Sequence, residues 1–150
     1  MSLEEYRKKR DFSATPEPSG EEGPTESRRF VVQKHQASHL HYDFRLELNG
    51  VLKSWAVPKG PPTEPKTRRL AVSVEDHPME YIDFEGTIPK GEYGAGSVEI
   101  WDKGTFDLKE RTEKTISIVL HGKKLQGDYR LVNFKENNWL IFKANPASTK

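Results

Sequence analysis

The side chains best suited to chemistry lie on one segment, His39 to Leu48, in which ionisable and apolar residues alternate. The ionisable residues are His39, His41, Asp43, Arg45 and Glu47, and the apolar ones are Leu40, Tyr42, Phe44, Leu46 and Leu48. Successive side chains of a β-strand point to opposite faces. The alternation therefore predicts a strand with one apolar face and one ionisable face.

Three residues of this region could bind a metal ion. His41 and Asp43 share a face of the predicted strand and would lie about 6.6 Å apart along it. His35 precedes them across Gln36-Ala37-Ser38 and could supply a third ligand from an adjoining segment. Two imidazoles and one carboxylate leave coordination positions open, as a catalytic metal requires. Manganese, zinc and iron all accept such a set.

Arg45 follows on the same predicted face, and its guanidinium fork suits a pair of phosphate oxygens. Solvent-facing strands ordinarily use Lys, Thr and Glu at such positions. The histidines and the aspartate between His35 and Asp43 therefore favour a functional site over a plain polar surface. His39 shares the face, and we expect it to be a neighbour rather than a ligand.

The elements that must position these residues are mostly strands. Asn49-Gly50 is a preferred two-residue hairpin turn, and Val51 to Val57 would return as the partner strand. Other strands are predicted at Phe30–Gln33, Arg69–Glu75, Ser97–Trp101, Thr105–Leu108, Thr115–Leu120, Asp128–Phe134 and Trp139–Lys143. Tyr81 alternates with Asp83 in a strand-like run, and only Leu3 to Lys9 resembles a helix. The pattern predicts a mainly β fold, a compact antiparallel barrel of about eight strands.

The N-terminal part differs in composition from this barrel. Ser13 to Ser27 is rich in proline, glycine and glutamate and almost without apolar residues. Burial cannot offset the entropy of ordering such a segment. We therefore expect an irregular, partly flexible N-terminal arm over residues 1–27 and a barrel domain over residues 28–150.

Composition excludes some classes of protein. The chain of 150 residues has no cysteine, so disulfides and thiolate metal sites are absent. No apolar run could span a bilayer and no secretory signal is present, which favours a cytoplasmic protein without membrane contact. The net charge is only +1, but an acidic arm beside a basic region from Arg28 to Arg69 is compatible with binding a polyanion.

Longer motifs are spread over nearly the whole chain. They are Arg10-Asp11-Phe12, Thr15-Pro16-Glu17-Pro18, Phe30 to His35, His39 to Glu47, Leu52 to Gly60, Glu75-Asp76-His77-Pro78, Gly86-Thr87-Ile88-Pro89 and Gly91 to Gly96. Together they resemble the 3′-phosphoesterase domain of bacterial DNA ligase D. The chain has no room for that family's ligase or polymerase modules, so the resemblance implies a stand-alone version.

The resemblance implies a manganese-dependent enzyme, with Zn²⁺ or Co²⁺ as other candidate metals. Such an enzyme removes a 3′-terminal ribonucleoside by phosphodiester cleavage, then removes the remaining 3′-phosphate to leave a 3′-OH for repair or ligation. The implied partners are DNA or primer-template ends that carry a 3′-ribonucleotide or 3′-phosphate, and a separate DNA ligase and polymerase. We expect a monomer.

The resemblance also assigns residues. His35, His41 and Asp43 would bind the metal, and Arg45 and His77 the phosphate. The surrounding catalytic and phosphate-binding positions would be Gln33, Lys59, Arg69, Glu75 and Tyr81. The matches to Asp11 and Glu17 would serve mainly the removal of the ribonucleoside. From the residues alone, His77 is equally well a loop histidine, Lys59 a solvated lysine and Tyr81 a core residue.

Two other functions stay open at this point. His41-x-Asp43 with a distant His77 or His121 also fits the facial triad of a β-barrel iron oxygenase. Alternatively, the barrel could be a module that holds broken DNA ends for a ligase without cutting them. Such a module would keep its affinity for nucleic acid when His41 is lost.

Overall fold

The computed structural model describes residues 3–10, 14, 17 and 28–144. This part contains a short α-helix, nine β-strands and a 3-10 helix. The bounds are α1 Glu4–Lys8, β1 Arg29–Gln36, β2 Leu40–Leu48, β3 Val51–Val57, β4 Arg68–His77, the 3-10 helix Met79–Asp83, β5 Gly86–Ile88, β6 Gly96–Arg111, β7 Thr115–His121, β8 Gln126–Lys135 and β9 Asn138–Lys143.

The strands form one antiparallel sheet in the order β1-β2-β3-β4-β9-β8-β7-β6-β5. Pairing of β1 with β6, from Arg29 opposite Thr105 to Gln36 opposite Ser97, closes eight of them into a barrel, and β5 adds to β6. Closure removes the free edges that an open sheet would expose. The predicted antiparallel barrel of about eight strands with a short N-terminal helix is confirmed.

The hairpin between β2 and β3 fixes which residues of β2 share a face. Asn49 and Gly50 have φ values of 54° and 84°, as a turn with two left-handed central residues requires. This turn sets Leu48 opposite Val51. A slip of one residue would move every side chain to the other face, so the turn is part of what positions the site.

The barrel interior holds the main apolar core, with members from all eight closed strands. They are Phe30, Val32, Phe44, Leu46, Leu48, Trp55, Val57, Ala71, Phe106, Ile116, Ile118, Leu120, Leu125, Tyr129, Leu131, Trp139 and Ile141. Only the inside of a closed barrel can collect side chains from every strand. The apolar face of β2 therefore points inward and its ionisable face points outward.

The ionisable face of β2 is nevertheless buried from Asp43 onwards, while His41 is half-buried. Asp43, Arg45 and Glu47 are 7%, 3% and 2% exposed. A second apolar cluster covers the outside of the barrel here, drawn from α1, the 3-10 helix and several strands. Its members are Tyr6, Val31, Leu52, Tyr81, Ile82, Phe84, Ile88 and Val98. The ionisable side chains of β2 thus lie outside the barrel wall but beneath this second apolar cluster.

Two of the predicted element assignments are wrong. The separate strands expected before and after Asp102 are one strand, β6, because Asp102 to Gly104 stay paired with β1. Gly104 lets β6 pass close to β7, since a Cβ at this position would lie 2.1 Å from the carbonyl oxygen of His121. Tyr81 lies in the 3-10 helix rather than in a strand.

Most of the predicted arm over residues 1–27, including Asp11, lies outside the described residues. Within the described part, no helix has the length and apolar character needed to cross a membrane.

Candidate active site

The residues predicted to bind metal lie on two neighbouring strands. The register of β1 and β2 sets His35 opposite His41 and Gln33 opposite Asp43. Residues directly opposite each other, and residues two apart on a strand, share a face of the sheet. The strand pair therefore brings His35, His41 and Asp43 together on the outer face of the barrel.

These three side chains form a compact group of donor atoms. One nitrogen of each histidine and one carboxylate oxygen of Asp43 all lie within 4.8 Å of one another. His41 Nε2 is 3.1 Å from Asp43 Oδ1, and His35 Nδ1 is 3.4 Å from Asp43 Oδ2. Imidazole nitrogens and a carboxylate at this spacing can hold a divalent metal ion.

Backbone carbonyls orient both imidazoles. His35 Nε2 donates to the carbonyl of Gly94 at 2.7 Å, and His41 Nδ1 donates to the carbonyl of His39 at 3.2 Å. Because a carbonyl only accepts, that nitrogen of each ring carries a hydrogen, and the other nitrogen faces Asp43, where it could bind a metal in place of a proton. Metal-binding histidines usually have this arrangement. The donor set therefore fits a metal in both chemistry and orientation.

The charge of Asp43 is stabilised within the group. Burial would raise its pKa, but the Arg45 guanidinium and hydrogen bonds from His35 and His41 outweigh burial and hold the pKa far below its usual range. The hydrogen bond to Asp43 raises the pKa of His41 above its ordinary value, against the opposing effect of burial. A bound cation would replace the proton on His41 and keep the charge of Asp43 compensated.

Arg45 is held on several sides. Its Nε donates to Gln33 Oε1 at 2.6 Å, and its terminal nitrogen NH2 lies 3.4 Å from Asp43 Oδ2. Gln33 donates in turn to the carbonyls of Tyr81 and Phe84. The guanidinium lies 4.8 Å from the centre of the Tyr81 ring. These contacts fix the direction of the guanidinium fork.

The other terminal nitrogen of Arg45, NH1, is buried and has no hydrogen-bond partner among the described residues. A buried donor on a charged group is costly to leave unpaired. Phosphate oxygens are the strongest acceptors for a guanidinium. Arg45 lines the adjoining cavity, so an anion bound there is a candidate acceptor for this nitrogen.

A second network of charges closes the opposite side of the site. Arg10 Nε donates to Glu17 Oε2 at 2.9 Å, and Arg10 NH1 donates to Glu75 Oε2 at 3.1 Å. The Tyr81 hydroxyl donates to Glu17 Oε2 at 2.8 Å, and Lys9 Nζ lies 3.3 Å from Glu75 Oε1. Because Arg10, Glu17 and Glu75 are all buried, removal of one would leave the others uncompensated.

His77 lies between the two networks. Its Nδ1 donates to the carbonyl of Glu75 at 3.0 Å, and its Nε2 accepts from Arg10 NH2 at 3.4 Å. Burial, followed by the positive charges of Arg45 and Arg10, holds the pKa of His77 well below its ordinary value. The ring is therefore neutral near pH 7, with an Nε2 lone pair.

Register shifts in the sheet adjoin the site. The shift between β1 and β6 falls directly before Gln33. In the pairing of β3 with β4, the shift between Leu52 and Ser54 gives β4 one extra residue. An extra residue re-aims the side chains around it. Here it brings both Glu75 and His77 against the same cavity.

The cavity between these groups has a volume of about 310 Å³. Its lining combines the metal-binding group, Arg45, His77 and the Arg10 network with a rim that includes Ala37, Tyr93 and Gly94. Candidate metal donors, a guanidinium nitrogen with no partner among the described residues and a neutral imidazole lie beside one cavity, an arrangement suited to the cleavage of phosphate esters.

Comparison with known families agrees with this chemistry. A family model described as the DNA ligase D 3′-phosphoesterase domain matches residues 33–133. The chain belongs to this family. The matched range begins at Gln33 and contains the whole metal-binding group, together with Arg45 and His77.

Relatives extend the match towards the N-terminus. A multifunctional non-homologous end joining protein LigD of Pseudomonas aeruginosa is 51% identical over 99% of this chain, which corresponds to 19% of that protein. LigD proteins of Mycolicibacterium smegmatis and Mycobacterium tuberculosis are each 46% identical over 92% of the chain, corresponding to 20% and 19% of their lengths. The chain spans about a fifth of the length of these relatives.

Some predicted site residues of this phosphoesterase domain lie apart from the cavity lining. Lys59 is exposed, and Arg69 NH1 donates to the carbonyls of Lys59 and Gly60 at 2.7 and 2.9 Å. Arg69 thus fixes the loop that follows β3. The phosphate-binding roles of Lys59 and Arg69 stay predictions, and Asp11 lies outside the described residues.

The structure also adds residues that sequence reasoning did not assign. Arg10 bonds Glu17, Glu75 and His77, although only its place in a family motif singled it out. The predicted site already contained several acidic residues, and buried acids need a cation nearby to compensate their charge. That requirement could have pointed to Arg10. His121, one candidate third ligand of a facial triad, is instead exposed and bonded to Asp107.

Proposed function

We propose that the protein is a metal-dependent phosphoesterase that heals nucleic-acid 3′ ends. It removes a 3′-terminal ribonucleoside and then the resulting 3′-phosphate, which leaves a 3′-OH for repair or ligation. The observation that carries this proposal is one cavity lined both by the candidate metal-binding group and by Arg45, whose NH1 has no hydrogen-bond partner among the described residues. Family membership supports the phosphoesterase class of reaction.

His35, His41 and Asp43 would hold the metal, with Mn²⁺ as the proposed ion and Zn²⁺ or Co²⁺ as alternatives. A bound divalent ion would supply charge stabilisation at a phosphate oxygen. Arg45 binds a second phosphate oxygen through NH1 and offsets the negative charge that develops during cleavage. Gln33 and Tyr81 keep the guanidinium in position.

His77 is suited to respond to the substrate. Its Nε2 lone pair first accepts a hydrogen bond from Arg10. A phosphate group beside the ring would favour the protonated form, because an opposite charge raises the pKa of an imidazole. Protonated Nε2 would then bind a phosphate oxygen or give its proton to the leaving oxygen.

The acidic residues of the Arg10 network serve the nucleoside-removing step. Glu17 and Glu75 line the cavity, and their carboxylates can accept hydrogen bonds from ribose hydroxyls. A terminal phosphate offers no such hydroxyl. Asp11 would belong to the same group. The proposed partners are DNA primer-templates with a 3′-ribonucleotide or 3′-phosphate, and a DNA ligase and polymerase of an end-joining reaction.

The test is a gel assay on a 5′-labelled primer-template with a single 3′-terminal ribonucleotide, run with Mn²⁺, Zn²⁺, Co²⁺ or a chelator. We expect loss of the nucleoside, then of the phosphate, and no product with the chelator. His41→Ala should abolish both products with the fold retained by circular dichroism. His121→Ala, an exposed histidine on β7, is the matched control and should remain active.

A DNA-end-binding module without catalysis is the competing function. It predicts that wild-type protein binds the primer-template but releases no product with any of the metals. It also predicts that His41→Ala binds the ends as tightly as the wild type. Product release by the wild type, lost in His41→Ala, would exclude it.

A further inference from the structure

One exposed aromatic ring lies at the rim of the cavity. Within the described part of the chain, the exposed large hydrophobic side chains are Leu40, Leu70, Tyr93 and Phe134. Only Tyr93 of these also lines the cavity, and 47% of it remains accessible. An exposed ring beside a polar site is available for a flat ligand group.

The backbone holds Tyr93 in a fixed relation to the metal-binding group. Successive turns order its loop, with Glu92 N donating to the carbonyl of Pro89 and Ala95 N to that of Glu92. The next residue, Gly94, has a φ of 77° and accepts the hydrogen bond from His35. Tyr93 is therefore one peptide unit from a residue that contacts a metal-binding side chain.

Side-chain contacts place the ring on the same side of the cavity as Glu75. Lys9 Nζ donates to the Tyr93 hydroxyl at 3.4 Å and to Glu75 Oε1 at 3.3 Å. Lys9 Nζ and the Arg10 guanidinium lie 4.8 and 5.2 Å from the ring centre. The Lys9 ammonium thus contacts both the Tyr93 hydroxyl and the Glu75 carboxylate. One nucleoside can span the separation between these two side chains, with its base at the ring and its ribose at the carboxylate.

We propose that Tyr93 is the stacking platform for the base of the leaving 3′-terminal nucleoside, whose ribose hydroxyls face Glu75. The inference rests on the proposed function and names the subsite of its first step. Aromatic rings stack on every base, so the platform would accept all four ribonucleosides. Removal of a 3′-phosphate has no leaving base and would not use it.

The test compares two substrates that differ only at the terminal base. One primer-template ends in a ribonucleotide, and the other ends in the same ribose without a base. Wild type, Tyr93→Ala, Tyr93→Phe and the control Phe134→Ala, which changes an exposed aromatic outside the cavity lining, are assayed for kcat/KM. Removal of a 3′-phosphate is measured in parallel, and thermal unfolding checks each variant.

We expect wild type, Tyr93→Phe and Phe134→Ala to favour the base-bearing end by roughly ten-fold or more, from the usual strength of base–aromatic stacking. Tyr93→Ala should lose that preference, mainly through KM, and keep phosphate removal within about two-fold of the wild type. A preference retained in Tyr93→Ala, or an equal fall in phosphate removal, would overturn the platform. A wild type inactive on every end would instead contradict the proposed function itself.

Discussion

The two walls of the cavity are built in different ways. The strand wall consists of His35, His41, Asp43 and Arg45, with Gln33 behind Arg45, all carried by β1 and β2 and held by the closed barrel. The N-terminal wall consists of Arg10 and Glu17, supported by Tyr6 and Lys9. These four residues reach Glu75, Tyr81 and Tyr93 through ion pairs and ring contacts. The proposed metal-binding group and Arg45, the proposed phosphate-binding residue, are both on the first wall.

This difference suggests a division of labour. Strand pairing fixes the strand wall, so chemistry common to both steps can depend on it. The N-terminal wall is attached to the barrel by side-chain contacts, and α1 has only five residues. A short helix of this kind depends on such contacts for its stability. We therefore expect the N-terminal wall to affect mainly the removal of the leaving nucleoside. The strand wall should affect the cleavage chemistry that both steps share.

The largest effect should come from the centre of the strand wall. Asp43→Asn keeps the shape of the side chain but removes its charge and one metal donor. We expect loss of metal binding and a fall in both activities well beyond the roughly 100-fold cost of losing an outer-shell partner of a metal. Titration with Mn²⁺ monitored by electron paramagnetic resonance, together with the gel assay, measures both.

Glu47→Gln is the matched control for Asp43→Asn. Glu47 lies on the same face of β2, is equally buried and bonds Arg29, but does not line the cavity. Metal binding should persist in this variant. Tight Mn²⁺ binding by Asp43→Asn would contradict the assigned metal group.

Arg45→Lys should separate phosphate binding from metal binding within the strand wall. Lysine keeps the charge but cannot contact Gln33, Asp43 and a phosphate together, because it lacks the planar fork. We expect kcat/KM for both steps to fall about 100-fold, within the range for loss of one preorganised donor, while the affinity for Mn²⁺ changes little. Arg29→Lys, at a half-buried arginine that pairs with Glu47 and does not line the cavity, is the control.

The N-terminal wall should affect the two steps unequally. Deletion of residues 1–27 removes Arg10 and Glu17, and we expect nucleoside removal to fall at least about ten-fold more than phosphate removal. The loss corresponds to about 1.4 kcal/mol of selective transition-state binding. Separate assays on a 3′-ribonucleotide end and a 3′-phosphate end measure it, and equal losses would contradict the division between the walls.

The deletion also uncovers part of the outer apolar cluster, so a point variant is needed. Glu17→Gln keeps the N-terminal segment and its size but removes the charge that Arg10 and Tyr81 contact. We expect the same unequal effect, smaller than in the deletion. Unfolding in urea would show whether the stability of this variant accounts for any loss.

The sequence predicted the strand wall better than the N-terminal wall. Alternation along β2 is local information, and it correctly indicated that His41, Asp43 and Arg45 share a face. It could not set His35 opposite His41, because that depends on how the short connection from Gln36 to Leu40 bends. The family resemblance supplied this residue, and the register agrees with it.

Long-range contacts explain what sequence reasoning missed. The burial of the polar face of β2 depends on Tyr6 and Tyr81, which lie far from it in the chain. Arg10 reaches Glu75 across 65 positions, so no local pattern could pair them. The extra residue in β4 that turns Glu75 and His77 towards the cavity likewise depends on pairing with β3.

The smallest predicted effect concerns His77, which lies between the strand wall and the N-terminal wall. Its pKa in the folded protein is well below its ordinary value of 6.5, whereas the unfolded chain takes up a proton as the pH falls through 6.5. The unfolded state then binds more protons, so this residue makes the folded state less stable as pH falls below about 6.5. The slope for one such group is at most about 1.4 kcal/mol per pH unit.

His77→Gln removes this titration and should flatten the dependence of the free energy of unfolding on pH between about 5 and 7. Urea unfolding of metal-free protein, in chelator, at several pH values measures the slope. His41, whose pKa is raised, acts in the opposite direction, because its contribution to stability is lost as pH rises. Because this loss begins above about pH 6.5, His41→Gln should make the slope more positive there and leave the slope near pH 5 unchanged. If His77→Gln left the slope between about pH 5 and 7 unchanged or made it steeper, the neutral state of His77 would be contradicted, and with it the proposal that substrate phosphate supplies the charge that protonates this ring.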